Sequence, residues 1–325
     1  MPRRDALTVQ VVSHGPSCLD GVTAAAAIRR FYANERVQTV LAPNGDTDRM
    51  IQLARPKGSS KLDELWITDL SWTSVNTADH LRQLLGNGTR VYWIDHHRTA
   101  VSRSNAPEFD VAFTARVLTE EFSAARLTYN YLRQRAIEAG DADRLHAFER
   151  FGAFAAIADD HDRWIHQVPG SEDWALAVQT LGGIESYREL IRLDEPVMTR
   201  RLKTALEAGR SAMEKSFEIA KTTMVEKALG NGISLRSACC IGYSSEVAAK
   251  LYEEQHHTVI ALFDLRSLGV SLRRSADCEV DLSELARHFG GGGHAAAAGF
   301  SVADLKRAPA ERLTKLLSEA LLNPN

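Results

Sequence analysis

The octapeptide Arg90-Val91-Tyr92-Trp93-Ile94-Asp95-His96-His97 constrains this chain more than any other stretch. Residues 91–94 are an unbroken apolar and aromatic run of the kind that forms a short buried strand. Such a strand has no structural use for a carboxylate and two imidazoles at its tip. In an open α/β sheet, ligands gather outside the carboxyl ends of parallel strands, so the polar triplet reads as a site. Two earlier runs end in the same way: residues 65–68 close on Asp69, and residues 9–13 close on His14, with Cys18 and Asp20 on the turn that follows. Three strand ends therefore offer His14, Cys18, Asp20, Asp69, Asp95, His96 and His97 as metal-ligating or catalytic groups.

The segments between these runs are helical in pattern. Residues 20–32 are alanine-rich, with side chains small enough for close packing on a sheet. A strand is expected over 37–41, and a helix over 75–85 is stopped by Gly86-Asn87-Gly88. Repeated β-α-β units of this length imply right-handed crossovers and a doubly wound, mostly parallel α/β sheet. Residues 114–138 read as one helix through Phe122, Ala125, Tyr129, Leu132 and Ala136. An apolar segment over 148–157 runs into Asp159-Asp160-His161-Asp162-Arg163-Trp164. Helical spacing over 197–229, closed by Gly230-Asn231-Gly232, predicts a connecting helix. A smaller α/β unit is expected beyond it, with a helix from about 245, strands over 258–263 and 269–273, and a helix opened by a capping box of Asp281 and Glu284. The domains are thus 1–195, a connecting helix 196–229, and 230–325.

Asp69, alone at its strand end, is the natural bridge between two cations. Two divalent ions about 3.5–4 Å apart hold a hydroxide and stabilise both the attacking and leaving oxygens of a phosphoryl displacement. A mixed imidazole and carboxylate shell suits Mn2+, Co2+ or Fe2+ better than Ca2+, and Mg2+ is compatible with it. In the last hundred residues, Gly290-Gly291-Gly292-Gly293-His294 is followed by Ala297-Ala298-Gly299. Consecutive glycines allow close backbone approach and present N–H groups to an anion. A solvated flexible turn is the bland alternative. Arg273 can clamp a phosphate bidentately.

Asp69, then Asp95-His96-His97, then the glycine run with its histidine, in this order and spacing, resemble the DHH phosphoesterases that carry a DHH-associated C-terminal domain. The resemblance covers nearly the whole chain. It implies two metal ions, usually manganese. His14, Asp69 and the residue at position 18 would hold one, and Asp20, Asp69, His96 and an aspartate of a fourth motif the other. Asp160 is the expected fourth-motif ligand, because Asp160-His161-Asp162-Arg163-Trp164 looks like an Asp-x-Asp-x-Trp form, with Asp159 the runner-up. His161, Asp162 and Arg163 are read as surrounding or surface groups, and Trp72 and Trp164 as packing. Asp69, Asp95, His96 and His97 would form the catalytic set, with His97 behind the metals, contacting phosphate or orienting a ligand. Arg273, Gly291, Gly292, Gly293 and His294 would bind substrate across a cleft between the domains. One position departs from the pattern: Cys18 stands where the family commonly has Asp. A thiolate there would favour softer ions, and a spectator thiol would leave one ion weakly held.

Composition narrows the partner. With 39 basic and 42 acidic residues, a formal charge of −3 does not build a surface for long duplex nucleic acid. No apolar run approaches the ~20 residues of a membrane span, and no signal-peptide core precedes the first strand, so a cytoplasmic protein is expected. The expected activity is hydrolysis of a small nucleotide or short oligonucleotide, such as pApA or 3′-phosphoadenosine 5′-phosphate. A silent nucleotide-binding regulatory module and a pyrophosphatase or polyphosphatase are the alternatives, and the oligomeric state, monomer or homodimer, stays open.

Overall fold

Short apolar runs separated by amphipathic segments can bury their backbone only by pairing with one another, and the alternation over the first hundred residues does so. The structure, a computed structural model, describes residues 6–43, 45–55, 61–229, 232–252, 256–301, 305–308 and 314. It divides into two compact units, residues 1–210 and 211–325.

In the first unit the chain runs β1 (Thr8–His14), α1 (Leu19–Phe31), β2 (Arg36–Ala42), α2 (Thr47–Gln52), β3 (Glu64–Thr68), α3 (Val75–Gly86), β4 (Arg90–Asp95), α4 (Arg98–Arg103) and β5 (Ala115–Leu118). Five helices follow: α5 (Ala124–Glu138), α6 (Ala142–Glu149), α7 (Gly152–Asp162), α8 (Ser171–Leu181) and α9 (Gly183–Leu190). Strand order is β2-β1-β3-β4-β5, and every pairing is parallel. The doubly wound class expected from the sequence is the class observed. β3 is buried along its whole length and β4 at all but its first residue. Trp66, Trp72 and Trp93 are fully buried, the last two with ring centroids 4.5 Å apart. Small side chains let α1 press close, with Ala24 through Ala27 wholly buried.

Local pattern failed at residues 114–138. The first part of that stretch is β5, which pairs with β4 from Tyr92↔Ala115 to Asp95↔Leu118, and the helix begins only after Ser123, whose side chain accepts from Arg126 N. Four residues on a sheet edge are too short for an alternation to show, and the Ser N-cap marks where the period changes. Likewise the apolar segment before Asp159 is two helices, α6 and α7.

α10 (Arg200–Thr223) carries the chain from one unit into the other and ends before β6 (Val225–Ala228), so the helical spacing read through 229 overruns into a strand. Gly230 and Asn231 of the expected stop lie outside the described residues. The second unit continues with β7 (Ser234–Cys240), α11 (Ser244–Tyr252), β8 (Thr258–Asp264), β9 (Gly269–Arg274), α12 (Leu282–His288), β10 (Gly292–Gly293) and β11 (Ala297–Phe300). Its mixed sheet has the order β10-β11-β9-β8-β7-β6. Asp281 caps α12 as its spacing implied, accepting from Ser283 N and Glu284 N.

Candidate metal centre

Parallel pairing aligns the ends of β1, β3 and β4, and this alone delivers His14, Asp69 and Asp95-His96-His97 to one edge of the sheet. Ser13 and Thr68 are register partners, tied by a 2.7 Å hydroxyl bond. Asp69 follows with φ of +57°, a left-handed conformation that costs a non-glycine residue about 1–3 kcal/mol, while its N–H still donates to Ile94 O at 3.0 Å. The strained turn swings the Asp69 carboxylate across the sheet end. The beginning of α1 comes equally close. Ser13 Oγ donates to Gly21 O, and a Cβ on Gly21 would stand 2.2 Å from His14 O, so only glycine lets the helix bring Cys18 and Asp20 to the same edge.

The two oxygens of Asp69 face different donor sets. Oδ2 lies 3.3 Å from His14 Nδ1 and 3.6 Å from Cys18 Sγ. Oδ1 lies 3.4 Å from His96 Nε2 and 3.7 Å from His97 Nδ1. His96 Nε2 is in turn 3.7 Å from Asp20 Oδ2 and 3.4 Å from Asp162 Oδ2. Two of the compact groups that result are His14-Cys18-Asp69 and Asp20-His96-Asp162, each with one donor atom per residue within 4.8 Å of the others, and a further one joins Asp69, Asp95, His96 and His97.

These contacts are at the long end of the hydrogen-bond range or beyond it, and most are close to the roughly 3.0–3.4 Å that separates two ligand atoms each about 2.1 Å from a common ion. Electrostatics point the same way. Burial, then the charges of Asp69 and Asp162, hold the Asp20 carboxyl well above its usual range, and burial with Asp69 raises Asp162. Burial and the charges of Asp69, Asp162 and Asp20 push the Cys18 thiol well up. Burial opposes ionisation of Asp69 too, but hydrogen bonds from His14 and His96 more than offset it and hold this carboxyl below the usual range. Burial would lower His96, yet Asp69, Asp162 and Asp20 push it up to about 11. Crowded acids that the protein's own cations do not neutralise call for positive charge, and Asp95 Oδ2 is buried without a hydrogen-bond partner among the described residues. The residues present fit divalent cations.

Asp95 does not share the outward arrangement of the other groups. Its Oδ1 accepts from His96 N at 2.7 Å, His97 N at 3.2 Å and His97 Nδ1 at 2.7 Å, which sets the His97 ring. Burial opposes protonation of His97, but the Asp95 charge and hydrogen bond push it up to about 9. Asp20 has a second task, because its two oxygens accept from Ala124 N and Ala125 N at the start of α5.

The fourth aspartate requires a correction. Asp160, expected as a ligand, lies outside both groups, buried and accepting from Ser171 Oγ at 2.5 Å and Gln167 N at 2.8 Å. Asp159, the runner-up, accepts from Ser123 N at 2.6 Å. Asp162, read as a surrounding group, is the one beside His96. A signal for it existed: Phe151, Ala155 and Ala158 form the buried stripe of α7, and Asp162 extends it by four. Trp72 packs in the core as read, whereas Trp164 is 39% exposed.

In the second unit, Arg273 on β9 donates from Nη2 to Ser245 Oγ at 2.5 Å and from Nη1 to Ser271 Oγ and Leu272 O at 3.0 and 2.8 Å. The glycine run is no open turn. Gly292 and Gly293 pair with β11, and Cβ atoms on Gly291 and Gly293 would stand 2.1 Å from Gly299 O and 2.6 Å from Ala297 O. His294 N donates to Ala297 O at 2.7 Å, which closes the hairpin.

Comparison with known proteins follows the same division. The DHHA1 domain profile matches residues 242–322. The chain is 28% identical over 314 residues to oligoribonuclease NrnB of Bacillus subtilis (strain 168), covering 88% of this chain and 71% of that protein. Among solved structures, the DHH domain of a member of a ribosomal protein family superposes with a TM-score of 0.66 at 16% identity, over 97% of this chain and 87% of its own. Exonuclease RecJ bound to manganese gives 0.52 at 15%, over 94% and 88%. These structures share the fold. The resemblance to the DHH proteins with a DHHA1 domain, first read from the motifs, holds.

Proposed function

We propose that this chain is a divalent-metal-dependent phosphoesterase that hydrolyses short oligonucleotides or small nucleotides. The observation that carries the reading is the Asp69 carboxylate, whose two oxygens face two separate sets of donors. His14, Cys18 and Asp69 would hold one ion, and Asp20, Asp69, His96 and Asp162 the other. Bound divalent ions supply acidity to an attacking water and neutralise charge that builds on the phosphoryl oxygens. Everything else falls to the chain. Asp95 orients the His97 ring through its Nδ1, and an imidazole held in this way would donate to a phosphoryl oxygen. Within the second unit, Arg273 and His294 would bind an anionic group of a nucleotide.

The substrate class is supported by the relative that carries the name oligoribonuclease, and by a charge balance that suits a short anion better than a duplex. Manganese is the favoured ion, since a RecJ structure of the same fold holds it. Cys18 in the first set adds a softer ligand and brings cobalt and iron into contention.

The test is turnover of pApA, 3′-phosphoadenosine 5′-phosphate and inorganic pyrophosphate by metal-stripped protein refilled with manganese, cobalt or magnesium, with bound metal counted by mass spectrometry. The reading expects two equivalents of metal and cleavage of a nucleotide but not of pyrophosphate. Pyrophosphate cleavage alone would replace it with the pyrophosphatase reading. Nucleotide binding without cleavage under every ion would replace it with the regulatory one.

A further inference from the structure

The turn that follows α7 presents a side chain that the packing of the unit does not explain. Of the five tryptophans, Trp66, Trp72, Trp93 and Trp174 are buried, and Trp164 alone is exposed, at 39%. It stands two residues beyond Asp162, whose Oδ2 is 3.4 Å from His96 Nε2, and is followed by Ile165, itself 36% exposed. Trp164 has φ of +58° and His166 φ of +55°, conformations unfavourable for bulky side chains. The turn is nonetheless pinned. Trp164 N donates to His161 O, Ile165 N to Asp160 O, and the buried Asp160 carboxylate accepts from Gln167 N and Ser171 Oγ. The indole is nearly perpendicular to the His166 ring, with centroids 4.6 Å apart, and 5.7 Å from the centroid of His161. Asp160 thus has a use: it secures the strained turn that carries an exposed indole two residues after the Asp162 carboxylate.

We infer that Trp164 is a stacking platform for a nucleobase of the substrate, so that the site selects phosphoesters carrying an aromatic base over base-free phosphates. This rests on the phosphoesterase reading and sharpens it. An indole face recognises any base, purines most strongly, and gives selectivity for nucleotides without selectivity for sequence.

The experiment compares wild type, Trp164→Phe and Trp164→Ala on pApA and on the same diribose phosphate without bases, and follows tryptophan emission during titration with AMP or ribose 5-phosphate. AMP quenches the emission of the wild type, ribose 5-phosphate does not, and the quench is absent in Trp164→Phe. Trp164→Ala raises KM for pApA about tenfold, the size of one base stack, with Trp164→Phe intermediate and KM for the abasic substrate unchanged. Equal changes on both substrates, or a quench that persists in Trp164→Phe, would overturn the inference and leave Trp164 as a structural residue. If the wild type cleaves neither substrate, the phosphoesterase reading fails, and the AMP titration still decides whether the indole stacks on a base.

Discussion

Strand β3 carries a buried carboxylate at each end, and the two ends are managed in opposite ways. At its start, Glu64 is fully buried and its charge is met by its neighbours: Tyr32 OH and Trp66 Nε1 donate to Oε2, the latter at 2.9 Å, and the Arg90 and Arg135 guanidinium groups stand 2.8 and 3.6 Å from Oε1, which accepts no hydrogen bond among the described residues. Arg135 also lies over four aromatic rings, Phe31, Tyr32, Trp66 and Tyr92. Just past the other end, Asp69 meets three further carboxylates, a thiol and three imidazoles. At the Glu64 end the fold's own arginines neutralise the buried charge, whereas around Asp69 the imidazoles hold that one carboxylate ionised while Asp20 and Asp162 stay crowded by it, a surplus of acid that suits a cationic ligand.

Substitution at the two ends should therefore separate activity from stability. Asp69→Asn is expected to lower kcat/KM by at least about 10³-fold and to reduce bound metal. It shifts the melting temperature of metal-free protein by less than about 4 °C, on the order of 1 kcal/mol. Glu64→Gln takes the counter-charge from two partly exposed arginines and should cost about 1–3 kcal/mol in a denaturant titration, with kcat/KM of the folded fraction retained. If Glu64→Gln lost metal, or Asp69→Asn lost stability on that scale, the contrast between the ends would collapse.

A finer version of the contrast lies within α7. Asp162→Asn should lower activity about 10²-fold and weaken metal binding while the melt is kept. Asp160→Asn should lose about 1–3 kcal/mol through its bonds to Ser171 and Gln167, and retain bound metal. The reverse outcome would return the fourth ligand to Asp160.

That exchange shows where the sequence stops being legible. The strands and the groups at their tips could be read because a buried parallel strand is a continuous apolar run, and a polar residue that closes it needs a reason. His14, Asp69, Asp95, His96 and His97 all announced themselves in that way. The last turn of α7 has four titratable residues in a row, each about 100° further round, and which of them meets His96 depends on how the helix is rolled against α1 and α5. Local pattern carries that only through the faint extension of the buried stripe to Asp162. β5 was hidden for a similar reason, being short and recruited to the sheet by β4 rather than by its own alternation. In the second unit the glycine run was visible, but the tertiary demand at Gly291 and Gly293, backbone against backbone in a hairpin, was not.

The smallest expected effect tests whether the Glu64 end acts as a charge. Burial, and after it the Glu64 charge, pushes the Tyr92 phenol up to about 12 from an ordinary value of 10. The unfolded chain then gives up this proton at lower pH than the folded one. Stability from Tyr92 is therefore present in full below about pH 10 and is lost as pH rises toward 12. Tyr92→Phe keeps the ring that stacks on Trp66 with centroids 4.1 Å apart, so it should change little at neutral pH. Between pH 10 and 12 it should flatten the decline in denaturant midpoint by up to about 1.4 kcal/mol per pH unit. Glu64→Gln, which removes the charge and keeps the shape, should flatten it by a smaller margin, because burial of the phenol remains. Equal slopes in all three proteins would mean that the Tyr92 phenol titrates as it does in the unfolded chain, and the two ends of β3 would then differ in their ligands but not in how the fold treats charge.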